Sequence, residues 1–271
     1  MKRNQQLTLG DFCKPSQKKV KLTDQGSRSS SASSSNSSAN STPPIKETFL
    51  INDQKNGVQV RYIPNFLSRQ ESTKLFNVLL QTCEFEKGKF KIFGKEIISN
   101  RQISAFGERD YEPLLKEENY SKHHRRPVHD EWPKELTDLK ERIEKYTGDT
   151  FTFALINRYD TGESSIGWHS DMEQDIKKDS SIVSISLGAA RDFKFRPTPK
   201  KENSKKSPTK KDEESEEEEK VQTITQKLEN GSMVIMNYAT QRHYQHSIPK
   251  RKNLNSVRLN ITFRHVVRNK P

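Results

Sequence analysis

The sequence is short of the features that mark membrane proteins and secreted, disulfide-bonded domains. Hydrophobic residues are only 30% of its 271 residues, and no apolar run approaches the roughly 20 residues that a membrane-spanning helix needs. It has two cysteines, Cys13 and Cys83, too few for a disulfide framework. No apolar run follows the initial MKRNQQ, so we expect no secretory signal peptide. These absences favour a reduced, intracellular protein that does not enter a membrane.

Positive charge, by contrast, is abundant. Lysine and arginine number 48 against 36 acidic residues, for a formal charge of +12. Residues 241–271 alone contain eight lysines and arginines and no acid. A basic excess of this kind favours association with a polyanion, although it does not indicate a fold.

Two segments lack the residues needed to build a hydrophobic core. Residues 27–42 contain 10 serines in 16 positions, which is typical of a flexible linker. Residues 198–220 contain no aromatic or branched aliphatic side chain, only a lysine-rich half followed by an acidic half; we predict a long disordered loop there. The expected organisation is a disordered tail over 1–46 and one domain over 47–271, interrupted by the loop 198–220.

The elements of this domain change in type along the chain. Ser68 and Glu71 have the spacing of a helical capping box, and Pro133 and Gly148 suit the start and end of a second helix. Short stretches rich in β-branched and aromatic residues follow, typical of strands. We therefore predict an α+β domain with an antiparallel sandwich or jelly roll. The predicted strands lie within 151–159, 180–187, 192–196, 221–228, 232–238 and 259–266.

A possible metal site lies within the strand region. His169 and Asp171 are two residues apart, so on an extended segment their side chains point the same way. His246, much further along the chain, could supply a third ligand. Two histidines and one carboxylate are the ligands of non-haem Fe(II) oxygenases. A His-x-Asp pair also arises often by chance, and a single histidine in a basic protein needs no metal.

A second polar pattern lies in the last predicted strand. Arg258, Asn260, Thr262 and Arg264 alternate along it and so share one face. Two buried arginines are costly unless an anion lies between them, and a dicarboxylate would satisfy both through bidentate contacts. The alternative is a solvated strand face that binds phosphate.

Together these motifs resemble the AlkB family of Fe(II)/2-oxoglutarate dioxygenases, and in particular its eukaryotic branch that repairs alkylated DNA. The resemblance runs over roughly residues 60–267. It depends on the order of several short motifs, each of them weak alone: Asn157-x-Tyr159, Ser165–Asp171, Ser184-x-Ser186-Leu187-Gly188, Arg191-x-Phe193-x-Phe195-Arg196, Gly231-Ser232, His246 and Arg258-x-Asn260-x-Thr262-Phe263-Arg264.

The resemblance implies a fold, a set of cofactors and a reaction. The fold would be a double-stranded β-helix (jelly-roll) core with N-terminal helices and a base-flipping β-hairpin. His169, Asp171 and His246 would ligate Fe(II), and Arg258 and Arg264 would bind the two carboxylates of 2-oxoglutarate. Hydrogen bonds to 2-oxoglutarate would come from Asn157, Tyr159 and Asn260. With O2, the family hydroxylates an N-methyl group on a base, which then leaves as formaldehyde.

The same resemblance suggests residues that contact the substrate. Phe93, Gly94 and Lys95 match a loop that inserts an aromatic ring into the duplex when a base is flipped out; the alternative is a hairpin whose phenylalanine packs on the core. The other candidates have ordinary interpretations as core, loop or solvated residues. They are Arg101, Tyr120, Trp168 and Glu173, together with Lys250, Arg251 and Lys252, whose charge suggests contacts with phosphate. One departure from relatives is Met172, where a second acid often follows the metal aspartate.

The tail contains two short motifs. Gln6, Leu9, Phe12 and Cys13 have the spacing of a peptide that binds the replication sliding clamp, with cysteine where a second aromatic is usual. Residues 14–21 resemble a nuclear import signal. An arbitrary polar tail remains the alternative for such short patterns.

The sequence thus predicts a nuclear, monomeric enzyme that demethylates bases such as 1-methyladenine and 3-methylcytosine in double-stranded DNA. Three alternatives stay open. The same chemistry could act on RNA or single-stranded DNA, or on protein side chains. The chain could also be a non-catalytic, clamp-recruited nucleic-acid-binding protein.

Overall fold

A computed structural model of the chain describes residues 46–92, 95–107, 128–172, 175–199 and 222–267. All of them belong to one unit that spans residues 44–271. The predicted tail and most of the predicted loop 198–220 lie outside the described residues. None of the helices in the described part has the length and apolar character needed to cross a membrane.

The described chain contains thirteen strands and three helices. The helices are α1 (Arg69–Thr82), α2 (Lys134–Thr147) and α3 (Tyr238–His243). The strands are β1 (Thr48–Asp53), β2 (Val58–Ile63), β3 (Glu86–Ile92), β4 (Lys95–Gly107), β5 (Val128–His129), β6 (Phe153–Tyr159), β7 (Ile166–His169), β8 (Ile182–Gly188), β9 (Arg191–Pro197), β10 (Ile224–Leu228), β11 (Met233–Met236), β12 (Tyr244–Ile248) and β13 (Arg258–Arg264).

Both predicted helices are present, and the residues predicted to begin or end them do so. The Ser68 hydroxyl accepts from the Glu71 backbone N–H while the Glu71 carboxylate accepts from the Ser68 N–H, which completes a capping box at α1. Helix α2 follows Pro133 and ends at Gly148, whose φ of 78° is the left-handed conformation that glycine adopts without strain. The six predicted strands are also confirmed, as β6, β8, β9, β10, β11 and β13.

The strands form two sheets with a shared interior. The larger sheet has the order β1-β2-β11-β8-β13-β6-β4-β3, with β5 beside β4, and the smaller has the order β10-β9-β12-β7. One hydrophobic cluster combines side chains of both sheets, so their inner faces pack together. This two-layer arrangement of mostly antiparallel strands is the jelly-roll core that the sequence predicts. The early strands β1 and β2, which precede α1, were not predicted.

Helices α1 and α2 cover the opposite face of the larger sheet. Leu75 and Leu79 of α1 and Leu136 and Ile143 of α2 share a core cluster with that face of the sheet. In strand β13, apolar and polar residues alternate and so lie on opposite faces of the sheet. Its apolar residues, Leu259, Ile261 and Phe263, belong to the cluster beneath the helices. Its polar residues must therefore point into the jelly-roll interior.

Candidate metal and co-substrate site

Three potential metal ligands converge at one end of the jelly-roll interior. His169 ends β7, Asp171 follows it by two residues, and His246 lies in β12 directly opposite His169. Their nearest ligand atoms all lie within 4.8 Å of one another. Nε2 of His169 is 3.7 Å from Asp171 Oδ1, and Nε2 of His246 is 3.8 Å from Asp171 Oδ2. The structure thus brings together the triad that sequence spacing alone could only suggest.

The surroundings of both imidazoles suit metal binding. Nδ1 of His169 lies 2.9 Å from the Gly167 carbonyl oxygen; since a carbonyl only accepts, Nδ1 carries a proton in this contact and Nε2 is the nitrogen left for a metal. His246 is buried against the ring of Phe193, with ring centroids 5.2 Å apart. Burial lowers the pKa of His246 to about 4, so this imidazole is uncharged at neutral pH.

The carboxylate of Asp171 is held ionised by its surroundings. Burial raises the pKa of Asp171, but the positive charge of Arg264 lowers it, and the resulting pKa lies below the ordinary value. Nη2 of Arg264 is 3.1 Å from Asp171 Oδ1. The Asp171 backbone N–H also donates to Oε1 of the buried Gln241 at 2.9 Å. Gln241 was not predicted as a site residue, and nothing in its sequence context singles it out.

A second polar group surrounds Arg258 in the same interior. Nη2 of Arg258 donates to Ser186 Oγ at 2.9 Å and to Asn260 Oδ1 at 2.6 Å. Asn260 Oδ1 also accepts from Ser184 Oγ at 3.0 Å, and its Nδ2 donates to Thr262 Oγ1 at 2.9 Å. These bonds fix the orientation of the Asn260 amide, and through it one edge of the Arg258 guanidinium. Ser184 and Ser186 belong to a motif of the resemblance but were given no role by it.

The other edge of Arg258 carries donors that the described residues do not satisfy. Its Nε and Nη1 are fully buried and have no hydrogen-bond partner among the described residues. Burial lowers the pKa of Arg258 to about 10, so the group stays cationic at neutral pH. Its guanidinium carbon lies 5.1 Å from the ring centroid of Tyr159. A buried cation with unsatisfied donors is costly on its own and fits a carboxylate ligand.

Asn157 and Tyr159 lie on β6, beside these residues. In the register of β6 against β13, Asn157 is opposite Asn260 and Tyr159 is opposite Arg258. Oδ1 of Asn157 accepts from Nε of Arg101 at 2.9 Å. Arg101 on β4 therefore contacts this polar group through Asn157.

The donor set fits the metal and the co-substrate that the resemblance implies. Two imidazoles and one carboxylate are a donor set that would hold an Fe(II) ion. The unsatisfied donors of Arg258 suit one carboxylate of 2-oxoglutarate. Arg264 differs from Arg258, because the structure places it directly on the metal ligand Asp171.

The remaining predicted contact residues are dispersed. Trp168 is half-buried and stacks with Arg196, whose guanidinium carbon is 4.5 Å from the ring centroid. Lys250 and Arg251 are exposed on the loop between β12 and β13. Lys95 begins β4. The other predicted residues lie outside the described residues: Phe93, Gly94, Tyr120, Glu173, Gln6, Leu9, Phe12 and Cys13.

Comparison with known proteins agrees with this geometry. A family model described as the 2OG-Fe(II) oxygenase superfamily matches residues 59–264. DNA oxidative demethylase ALKBH2 of Mus musculus is 32% identical over 202 residues, which cover 73% of this chain and 77% of that protein. ALKBH2 of Bos taurus is 37% identical over 136 residues, which cover half of this chain.

A further relative is alpha-ketoglutarate-dependent dioxygenase alkB homolog 3 of Homo sapiens, 37% identical over 135 residues and half of this chain. The matched region spans less than half of the length of the cattle and human relatives, 45% and 43%. The family model itself covers about three quarters of this chain and includes all three ligands of the triad. The chain belongs to the 2OG-Fe(II) oxygenase superfamily, as an AlkB-family dioxygenase of the eukaryotic DNA-repair type that uses Fe(II), 2-oxoglutarate and O2.

Proposed function

We propose that this protein is an oxidative demethylase that repairs N-alkylated bases such as 1-methyladenine and 3-methylcytosine in double-stranded DNA. The observation that carries the proposal is the shared interior of the jelly roll, which holds the His169-Asp171-His246 triad beside the unsatisfied donors of Arg258. The names of the relatives, DNA oxidative demethylases among them, support DNA as the substrate.

Different residues of this chain would bind the metal and the co-substrate. His169, Asp171 and His246 would hold Fe(II), which with 2-oxoglutarate and O2 supplies the oxidation of the methyl group. Arg258 and Asn260 would orient 2-oxoglutarate, with Asn157 and Tyr159 lining the same pocket. The buried walls of the interior would exclude water and direct the methyl group toward the metal.

The overall reaction balances without a further reductant. One oxygen atom of O2 enters the succinate formed as 2-oxoglutarate loses CO2, and the other becomes a hydroxyl group on the N-methyl carbon. The carbon–nitrogen bond then breaks, which releases formaldehyde and restores the base. A base inside a duplex cannot reach a buried site, so the target must be flipped out of the helix.

Formaldehyde release tests the proposal directly. Purified protein is supplied with Fe(II), 2-oxoglutarate, ascorbate and air, and with a duplex that carries one 1-methyladenine. We expect release that depends on iron and on 2-oxoglutarate and that disappears in His169→Ala. His243→Ala is the matched control, because His243 is exposed at the end of α3, and it should retain activity.

Other outcomes would move the proposal to its alternatives. Release from methylated RNA or single strands, but not from the duplex, would keep the chemistry and change the substrate. No turnover on any nucleic acid, together with no binding of 2-oxoglutarate, would favour a non-catalytic nucleic-acid-binding protein.

We also propose that the tail directs the enzyme to replicating DNA in the nucleus, where it acts as a monomer. Residues 6–13 would bind the sliding clamp and residues 14–21 would serve as the import signal; a tethered enzyme gains a high local concentration at its substrate. Replacing Leu9 and Phe12 together by alanine should abolish capture by immobilised clamp. Leu7→Ala is the control, and equal capture of both variants would contradict the proposal.

A further inference from the structure

Two loops beside the candidate site are joined by backbone hydrogen bonds. We call residues 160–165, between β6 and β7, the connecting segment, and residues 249–257, between β12 and β13, the basic loop. The Gly162 N–H donates to the Leu254 carbonyl at 2.7 Å, and the Arg251 N–H donates to the Gly162 carbonyl at 2.9 Å. Nζ of Lys250 also lies 3.0 Å from Glu163 Oε2. The position of the basic loop is thus defined by the connecting segment.

The approach of the two loops is close enough to require glycine. A Cβ atom on Gly162 would lie 1.8 Å from the Arg251 carbonyl oxygen and 3.1 Å from Leu254 Cβ. Any side chain would therefore force the loops apart. This approach lies next to Lys250 and Arg251, the predicted phosphate-binding residues.

A buried arginine lies beneath the junction and bonds to both loops. Arg191, at the start of β9, is only 1% exposed. Its Nη2 donates to the Ser164 carbonyl at 2.8 Å and to the Pro249 carbonyl at 2.6 Å, and its Nη1 donates to the Thr161 carbonyl at 3.3 Å. One guanidinium therefore satisfies two carbonyls of the connecting segment and the first carbonyl of the basic loop. A planar group with several donors suits this task, and lysine could not reproduce it.

The connecting segment is also tied to the β3–β4 hairpin. On β4, Asn100 Nδ2 donates to the Glu163 carbonyl at 3.0 Å and to Ser165 Oγ at 3.2 Å, while its Oδ1 accepts from the Ser165 N–H. The chain between β3 and β4 contains Phe93, the residue predicted to enter the duplex. The connecting segment thus links the hairpin, the basic loop and, through β7, the metal ligand His169.

We propose that Arg191 is a positioning residue for nucleic-acid binding, which holds the basic loop against the connecting segment so that Lys250, Arg251 and Lys252 meet the phosphates of a base-flipped duplex. The inference rests on the proposed function, because it assumes a nucleic-acid substrate. Arg191 itself has no access to the substrate, since its side chain is buried and donates to backbone carbonyls. Its effect is transmitted through the loop.

Arg191→Met is the principal test. It removes all three hydrogen bonds to backbone carbonyls and keeps an unbranched, flexible side chain in their place. We expect the affinity for a labelled duplex with one 1-methyladenine, measured by fluorescence anisotropy, to fall about tenfold. The slope of log K against log salt should decrease by about 0.9 for each phosphate that the displaced loop no longer neutralises. KM for the duplex should rise with little change in kcat, a split that general destabilisation would not produce.

Arg142→Met is the matched control. Arg142 also donates to a backbone carbonyl, that of Phe66, and also lies over an aromatic ring, but it does so on α2 among the helices. It should leave duplex affinity and the salt slope unchanged. Arg191 also lies 5.6 Å from the ring centroid of Tyr159, so binding of 2-oxoglutarate is measured in the same variants and should stay within about threefold of wild type.

The outcomes separate the inference from the function on which it rests. A folded Arg191→Met variant with wild-type duplex affinity and salt slope would overturn the inference, and so would a loss confined to 2-oxoglutarate binding. If Arg191→Met does not fold, Asn100→Ala replaces it as the test. Asn100 is exposed, and its loss should weaken duplex binding because its side chain bonds to the same connecting segment. If the wild type binds no duplex, the proposed function fails. Hydrogen exchange then tests whether Arg191 holds the basic loop in place. Reduced protection of the Gly162 and Arg251 amides in Arg191→Met would support this role of Arg191, and retained protection would refute it.

Discussion

The guanidinium of Arg264 and the carboxylate of Asp171 form a buried ion pair, with Nη2 3.1 Å from Oδ1. The pair joins the two polar patterns that the sequence shows separately, the His-x-Asp motif and the arginine-bearing strand. It keeps the pKa of Asp171 below its ordinary value in a place where burial alone would raise it. The carboxylate is therefore available as a metal ligand at neutral pH.

Removing this cation should weaken the metal site. In Arg264→Met, burial would act on Asp171 without the compensating charge, and the carboxylate would also lose an orienting partner. We expect the affinity for Mn(II), a redox-stable substitute for Fe(II), to fall by about 10- to 100-fold in isothermal titration. Arg61→Met, a change of the half-buried arginine on β2, is the control. Equal affinities in the two variants would show that the ion pair does not support the ligand.

Binding of 2-oxoglutarate should depend on the planar group of Arg258. Arg258→Lys keeps the positive charge but loses the paired N–H donors that match a carboxylate. We expect the affinity for 2-oxoglutarate of the Mn(II)-loaded protein to fall by at least about tenfold. Arg142→Lys is the matched change far from the pocket. An unchanged affinity in Arg258→Lys, with a thermal melt like that of the wild type, would place the co-substrate elsewhere.

Phe93 should matter more for duplex DNA than for single strands. Strands β3 and β4 pair up to Ile92 and Lys95, and Phe93 and Gly94 lie between these two residues in the sequence. An inserted ring replaces the stacking lost when a base leaves the duplex, and a single strand has no such stack to restore. Phe93→Ala should therefore reduce demethylation of the duplex much more than that of the matching single strand.

The control for this substitution is Phe49→Ala, which removes an exposed ring from β1. Losses of equal size on the duplex and on the single strand would exclude an insertion role for Phe93. A loss for Phe49→Ala as large as that for Phe93→Ala would point to a general effect on stability.

The capping box of α1 should contribute measurably to stability. Ser68→Ala removes the hydroxyl that accepts from Glu71 N–H at 3.2 Å and should lower the free energy of unfolding by about 1 kcal/mol. Urea denaturation measures the loss, with Gln81→Ala, an exposed change in the same helix, as the control. A change no larger than that of the control would show that the cap is energetically neutral.

The same box predicts a dependence on pH. Burial raises the pKa of Glu71, but the Ser68 backbone N–H, the Ser68 hydroxyl and Arg142 outweigh it, so the pKa is lowered. A lowered carboxyl pKa adds stability above the ordinary value of 4.5 that is lost as the pH falls through the folded value. Glu71→Gln should therefore unfold more easily than wild type at pH 7, and the difference should shrink on acidification. A difference that grows instead would contradict the prediction.

Local patterns were sufficient for much of the fold. The capping box at Ser68, the proline and glycine around α2 and the alternation in β13 each depend on neighbouring residues, whose spacing is a property of the chain itself. The strands β1 and β2 were not predicted, although local signals for them are present. Strand β2 contains Val58, Val60 and Ile63 and follows Asn56-Gly57, a pair typical of hairpin turns. Only the pairing of β2 with β11 joins segments distant in the chain.

The candidate site, too, could be predicted only in part from the sequence. The sequence determined which residue types were available: the His-x-Asp pair, a distant histidine and two arginines on one strand face. Only the tertiary structure decided that His246 lies opposite His169, that Arg264 pairs with Asp171 while Arg258 keeps unsatisfied donors, and that Gln241 and Arg191 support the surrounding backbone. The physical reason is that these contacts join segments distant in the chain or depend on burial, whereas local spacing specifies only the direction in which a side chain leaves its own strand.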